Sequence, residues 1–289
     1  MDAPDLNGLF LLNSEQFRNV TEAGKARCSI DLVAIHGVTG NAFTTWTHRN
    51  GKLWLRDFLP EALPGIRVFT YGYPSAAVTS ARLDELSMMA DELLYHLTLE
   101  RGSDSADGST RKYQFRPIVL VCHSVGGIIA KQLVVTTVSR IETYSNVHDS
   151  LQGIFFLGTP HRASPMNDFA QILSNVAEIV LAEPSEALGR ASEPFKYLRE
   201  PKSATVLEAL SRQFEDQTRY LKIISFVEQN TTPPLKRRAV DDVSGTLDAL
   251  RETVVEMEGC DHLGLARFGS ADEPSYKVIL HHLENLTTG

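Results

Sequence analysis

A mostly parallel, doubly wound α/β sheet with helices on both faces is the architecture this sequence predicts, on three observations. Short β-rich apolar runs alternate with longer helical patterns, the signature of βαβ units. One buried run passes straight into a helix through a tight, glycine-flanked turn, VCHSVGG. The 289 residues, 43% hydrophobic, suffice for one large core, and length alone does not require a second.

GLFLL at 8–12 reads as an edge strand, and residues 31–37 (DLVAIHG) and 66–73 (IRVFTYGY) as buried strands. Over residues 80–100, Leu83, Leu86, Met89, Ala90, Leu93, Leu94 and Leu97 share one helical face. Residues 101–112, polar and Gly/Ser-rich, read as a loop between neighbours of one sheet. A strand at 117–124 leads into a helix over 125–139, and GIFFLGTP at 153–160 is the next strand. The stretch 163–219 has helical segments near 166–182 and 204–217 and no strand pattern; an insertion there lies over the carboxyl ends of the strands, as a lid. Strands at 221–228 and 253–259 and a helix over 274–286 complete one domain, 1–289.

Composition excludes several classes. A formal charge of −8 and a pI near 5.6 argue against nucleic acid or an anionic membrane as an electrostatic partner. Cys28, Cys122 and Cys260 cannot all pair and form no CxxC pattern, so reduced thiols and no metal site are expected. MDAPDLNGLF lacks a secretory pattern and no apolar run spans a bilayer, so the expected location is cytoplasmic.

The strongest chemical signal is PIVLVCHSVGGIIAKQL. Its strand–turn–helix presents Ser124 at a strained tip, with Gly126 and Gly127 allowing close packing and the helix N-terminus facing developing negative charge. Cys122 stands where such an elbow usually has its first glycine. The competing reading is a helix N-cap in an ordinary Gly-rich loop. A serine nucleophile needs a base, and chain order puts it after the last strand, where His262 is the loop's single histidine. His281 and His282 read as solvated residues of the last helix.

For the acid, Glu228 ends the preceding strand; Asp168, one strand earlier, and Asp241 or Asp242 are the alternatives, whereas Asp261 is too close in the chain to reach the His262 ring. Oxyanion donors are expected from the amides of Val125 and Val38, the latter in HGVTG. His36 reads as a loop-organising hydrogen bonder, and His161 and Arg162 as loop supports.

Together the segments HGVTGNAFTTW, WLRDFLPEALPGIRVFTYGYPS, VCHSVGGIIAKQL, GIFFLGTPHRAS, SFVE and DHLGLARF resemble the SERAC-like, DUF676-type α/β hydrolases. In particular they resemble the lipase/esterase-like domain at the N-terminus of fungal NLR-like proteins, ahead of a NACHT or NB-ARC ATPase and ankyrin or tetratricopeptide repeats. The resemblance runs from Gly8 to Leu286 and departs at Val125, where Leu is usual, and at Ala163, where Gly is usual. It implies an α/β-hydrolase fold, Ser124, Glu228 and His262 at the triad positions, and an effector role within a longer or oligomeric NLR-like assembly. The expected activity is cofactor-free hydrolysis of carboxylic esters, acyl lipids among them. The alternatives are a thioesterase or amidase and, from another class, a catalytically weak interaction module.

Overall fold

The computed structural model describes residues 6–37, 40–74, 83–102, 113–165, 169–182 and 201–287. Its sheet comprises β1 (Gly8–Leu11), β2 (Asp31–Ile35), β3 (Arg67–Gly72), β4 (Ile118–His123), β5 (Leu151–Leu157), β6 (Lys222–Glu228) and β7 (Glu252–Met257). The spatial order is β1-β3-β2-β4-β5-β6-β7. β1 pairs antiparallel to β3, and every other pairing is parallel. This is the mostly parallel architecture that the alternating pattern predicts, with the short edge strand in place.

Helices cover both faces because each strand sends alternate residues to opposite sides. Val33, Ile35, Phe69, Leu120, Cys122 and Phe156 pack on one face with α4 (Leu83–Arg101) and α5 (Gly126–Ser139), which follow α1 (Ser14–Glu22), α2 (Trp54–Asp57) and α3 (Leu59–Ala62) in the chain. Leu32, Ala34, Val68, Val121, Phe155 and Phe226 face the other way, onto Trp46, Trp54 and the C-terminal helix (Pro274–Thr287) through Tyr276, Ile279 and Leu283. A third, smaller cluster joins Ile172, Val176 and Ile179 of the helix Phe169–Ala182 to Leu235, Ala239 and Val240 of the β6–β7 connection. The helix Pro201–Glu215 instead buries Leu210 and Phe214 in the core of α4 and α5.

The structure adds helices at Ser14–Glu22 and Ile141–Ser150 and two short ones at Trp54–Asp57 and Leu59–Ala62. It also corrects two residue readings. Arg101, read as the first residue of a loop, is the last of α4 and is buried, because the carboxylate of Asp31 at the start of β2 draws in its guanidinium at 2.8 Å along with those of Arg67 and Arg116. A buried carboxylate without cations would be far costlier than this cluster. His282 is only half solvated, since its ring packs edge-on against Phe155 and Phe226. Residues 103–112 of the expected loop lie outside the described residues.

Candidate active site

The carboxyl ends of β2, β4, β5, β6 and β7 meet at one edge of the sheet, where a doubly wound fold binds ligands. Ser124 directly follows β4. Its φ of 53° lies in the left-handed region, which few non-glycine residues occupy. The surroundings hold it there: its N–H donates to the Leu157 carbonyl at 2.9 Å, and its own carbonyl accepts the Thr159 hydroxyl at 2.9 Å and the Gly127 N–H at 3.1 Å.

The glycines after it are required by close approach. A Cβ on Gly126 would stand 2.4 Å from the carbonyl oxygens of Ile35 and His36, and one on Gly127 2.3 Å from the Thr159 hydroxyl. Either would push α5 off the sheet and move the serine with it. Cys122, on the side of β4 facing α5, is wholly buried in the core, and burial raises its thiol pKa well above the ordinary value. That keeps it a neutral packing group and not a thiolate.

Three side chains predicted from separate parts of the chain come together. The Ser124 Oγ lies 3.1 Å from His262 Nε2, and His262 Nδ1 lies 3.2 Å from Glu228 Oε1. A carboxylate can only accept, so Nδ1 carries the proton and Nε2 is left to accept from the hydroxyl. Ser124, His262 and Glu228 are 2%, 0% and 1% exposed. Glu228 Oε1 also accepts the Val240 N–H at 2.7 Å, which helps satisfy the buried carboxylate.

The other acids are placed differently. Asp241 accepts the Ser164 hydroxyl and the Ser244 N–H, Asp242 pairs with Arg238, and Asp261 accepts the Gly264 N–H. Asp168 and Val38 lie outside the described residues. Val125, the other expected oxyanion donor, is buried immediately before the first turn of α5, where a backbone N–H has no intrahelical partner.

His36 organises its loop. Nδ1–H donates to the Gly37 carbonyl at 2.8 Å, Nε2 accepts the Tyr73 N–H at 3.4 Å, and the ring stacks on Tyr73 at 4.0 Å. Burial pushes its pKa down to about 4, so it stays neutral. Arg162 ties its loop to Val243 and Asp248. His161 contributes through its backbone, with its N–H on the Ser244 carbonyl, while neither ring nitrogen has a hydrogen-bond partner among the described residues.

Sequence reasoning missed several supports. The His123 ring bonds the His262 carbonyl, and Thr232 touches both Glu228 and His262. Lys131 of α5, 1% exposed, donates to the Ser211 hydroxyl at 2.9 Å, which donates in turn to the His161 carbonyl; burial pulls the lysine down to about 7, against the opposing charges of Glu215 and Glu252. Only the turn-rich NTTPP marked the Thr232 region, and Lys131 reads as an ordinary helix residue. Among the described residues, no group of three or more His, Cys, Asp or Glu could hold a metal ion, and no helix is long and apolar enough to cross a membrane.

Comparison with known proteins agrees with this architecture. A family described as PGAP1-like alpha/beta domain matches residues 83–226. Protein SERAC1 of Danio rerio is 23% identical over 285 residues, covering 90% of this chain and 39% of that protein. Protein SERAC1 of Homo sapiens is 24% identical over 161 residues, 48% of this chain and 23% of that protein. The chain thus spans well under half the length of the curated relatives it matches. Among solved structures, the peroxisomal α/β-hydrolase Lpx1 of Saccharomyces cerevisiae superposes with a TM-score of 0.55 at 14% identity, over 92% of this chain and 80% of that one. A carboxylesterase structure from the thaumarchaeon Nitrososphaera gargenis gives 0.52 at 13% identity, over 99% and 98%. The fold is that of the α/β hydrolases.

Proposed function

We propose that the chain is a serine hydrolase that cleaves carboxylic esters through an acyl-Ser124 intermediate. The observation that carries this reading is the continuous relay from Ser124 Oγ through the His262 ring to Glu228, at 3.1 and 3.2 Å, at the carboxyl edge of the sheet. Ser124 Oγ attacks the ester carbonyl while its proton passes to His262 Nε2. The tetrahedral oxyanion accepts from the amides of Val125 and Val38. As the carbonyl re-forms, the C–O bond to the alcohol breaks and the imidazolium returns its proton to that leaving oxygen. Water then attacks the acyl-serine, its proton taken by Nε2; as the second tetrahedral intermediate collapses, the C–Oγ bond breaks, the imidazolium returns the proton to Ser124 Oγ, and the acid is released. Glu228 keeps its charge throughout and stabilises the imidazolium.

The near-complete burial of Ser124 and His262 supports a covered site. We infer further that the helix Phe169–Ala182, packed on Leu235 and Val240, belongs to a lid that moves to admit the acyl group. The resemblance to lipase/esterase-like domains extends the substrates to acyl lipids. The sequence resemblance extends the proposal to an effector role within a longer NLR-like protein. Turnover of ester, thioester and amide substrates of increasing acyl length, by this chain and by Ser124→Ala, tests the reaction class. Ester cleavage that disappears in the variant is expected, and equal cleavage by both would overturn it.

A further inference from the structure

The base of a serine hydrolase must present one nitrogen to the serine and the other to the acid, and here His262 sits in a loop, not on a regular element. Its peptide groups are both held by side chains. Its N–H donates to Thr232 Oγ1 at 2.8 Å, and its carbonyl lies 2.9 Å from His123 Nε2. A carbonyl only accepts, so His123 is the donor there. Thr232 is 1% and His123 6% exposed, and they come from opposite sides, one from the connection after β6 and the other from the end of β4 beside Ser124.

We propose that Thr232 and His123 are positioning residues that clamp the backbone of His262, and so set its ring between Ser124 and Glu228. The inference rests on the serine-hydrolase reading for its kinetic consequence, although the clamp itself is independent of it. The Thr232 hydroxyl accepts from the His262 amide, and its single proton is aimed at Glu228 Oε2, 3.4 Å away. That distance is long for a hydroxyl–carboxylate bond, so the amide contact is the stronger of the two. Thr232 therefore holds the base directly and the acid more loosely.

His123 matches this task in charge as well as in geometry. Burial, and next the nearby His262, keep its pKa well below the ordinary histidine value. It therefore donates as a neutral ring and adds no positive charge beside the imidazolium that forms on His262. Its position in the chain immediately before Ser124 means that one tripeptide, Cys122 to Ser124, supplies a core residue, a hold on the base and the nucleophile.

The test pairs a disruptive with a conservative variant at each position. Thr232→Val keeps the shape and removes the hydroxyl; Thr232→Ser keeps the hydroxyl. His123→Leu removes the donor; His123→Gln retains an N–H at about the same reach. The disruptive variants should lower kcat by about 10- to 100-fold with KM within about twofold, and the conservative ones should recover most of the loss.

Protein carrying 15N-histidine reports on the clamp without activity. The His262 Nδ1 proton, held against Glu228, should exchange slowly in the parent and in Thr232→Ser, and quickly in Thr232→Val and His123→Leu. Unchanged exchange and unchanged kcat in both disruptive variants would overturn the clamp. Fast exchange in those variants of a chain whose Ser124 does no chemistry would instead uphold the clamp and sink the hydrolase reading.

Discussion

Glu228 accepts from His262 Nδ1 and from the Val240 amide, and its carboxylate selects the tautomer of the His262 ring that carries its proton on Nδ1. Glu228→Gln keeps the shape and removes the charge that favours the imidazolium, so kcat should fall by about a thousandfold with little change in KM or Tm. Steady-state kinetics on a cleaved ester checks it. Lys131 makes a contrasting prediction, about stability. With a folded pKa near 7 and an ordinary value of 10.5, the unfolded chain holds a proton between those values that the folded chain has shed. Stability therefore rises with pH across that window. Lys131→Met should flatten the rise, as measured by urea unfolding at pH 7 and 10. The burial of this lysine was not legible in the sequence, because Ser211, its partner, lies 80 positions away and no periodicity links the two.

At the scale of elements, the turn after β4 is the most constrained piece. Gly126→Ala would set a methyl 2.4 Å from two backbone oxygens that cannot rotate away. A loss of about 2–3 kcal/mol is expected, together with most of the reactivity of Ser124, because helix and elbow move together. A fall in Tm with parent-like reactivity would contradict this coupling. The inner strands β2 to β6 were legible because each is a run of apolar residues long enough to be buried on both faces, whereas β1 and β7, at the sheet edges, are only partly buried. Ser14–Glu22 and Ile141–Ser150 were not legible, because polar residues dominate both and only Phe17, in the first, and Val147 and Ser150, in the second, are buried. The helical end at Arg101 is hidden for a similar reason: a charged residue before a glycine looks like a loop until Asp31, 70 positions away, is brought beside it.

The whole molecule joins a site assembled from the ends of separate strands to an interior that carries several neutral histidines. His36, His123 and His161 are all buried with pKa values driven below the ordinary 6.5, mainly by desolvation and in one case to about 4. Below pH 6.5 the unfolded chain takes up protons that these folded rings refuse, so stability should fall as pH drops from 6.5 toward 4. His161→Phe, which gives up no ring hydrogen bond among the described residues, should make that decline shallower in denaturant titrations. Chain order alone suggested Ser124 after β4, Glu228 at the end of β6 and His262 after β7 as a catalytic set, and the three side chains do lie within hydrogen-bonding distance. What it could not supply was the means of holding them, since Thr232, His123 and the Val240 amide act through contacts that only the folded chain creates.

A fluorophosphonate reacts with a serine only when a base activates it, so the site of its covalent attachment reports directly on whether Ser124 is an activated nucleophile. Peptide mapping after labelling should place one adduct on Ser124 in the parent chain and none in Ser124→Ala. His262→Ala, with its serine intact, should label more slowly by orders of magnitude. An adduct elsewhere, or labelling of Ser124 at the same rate without His262, would contradict the account.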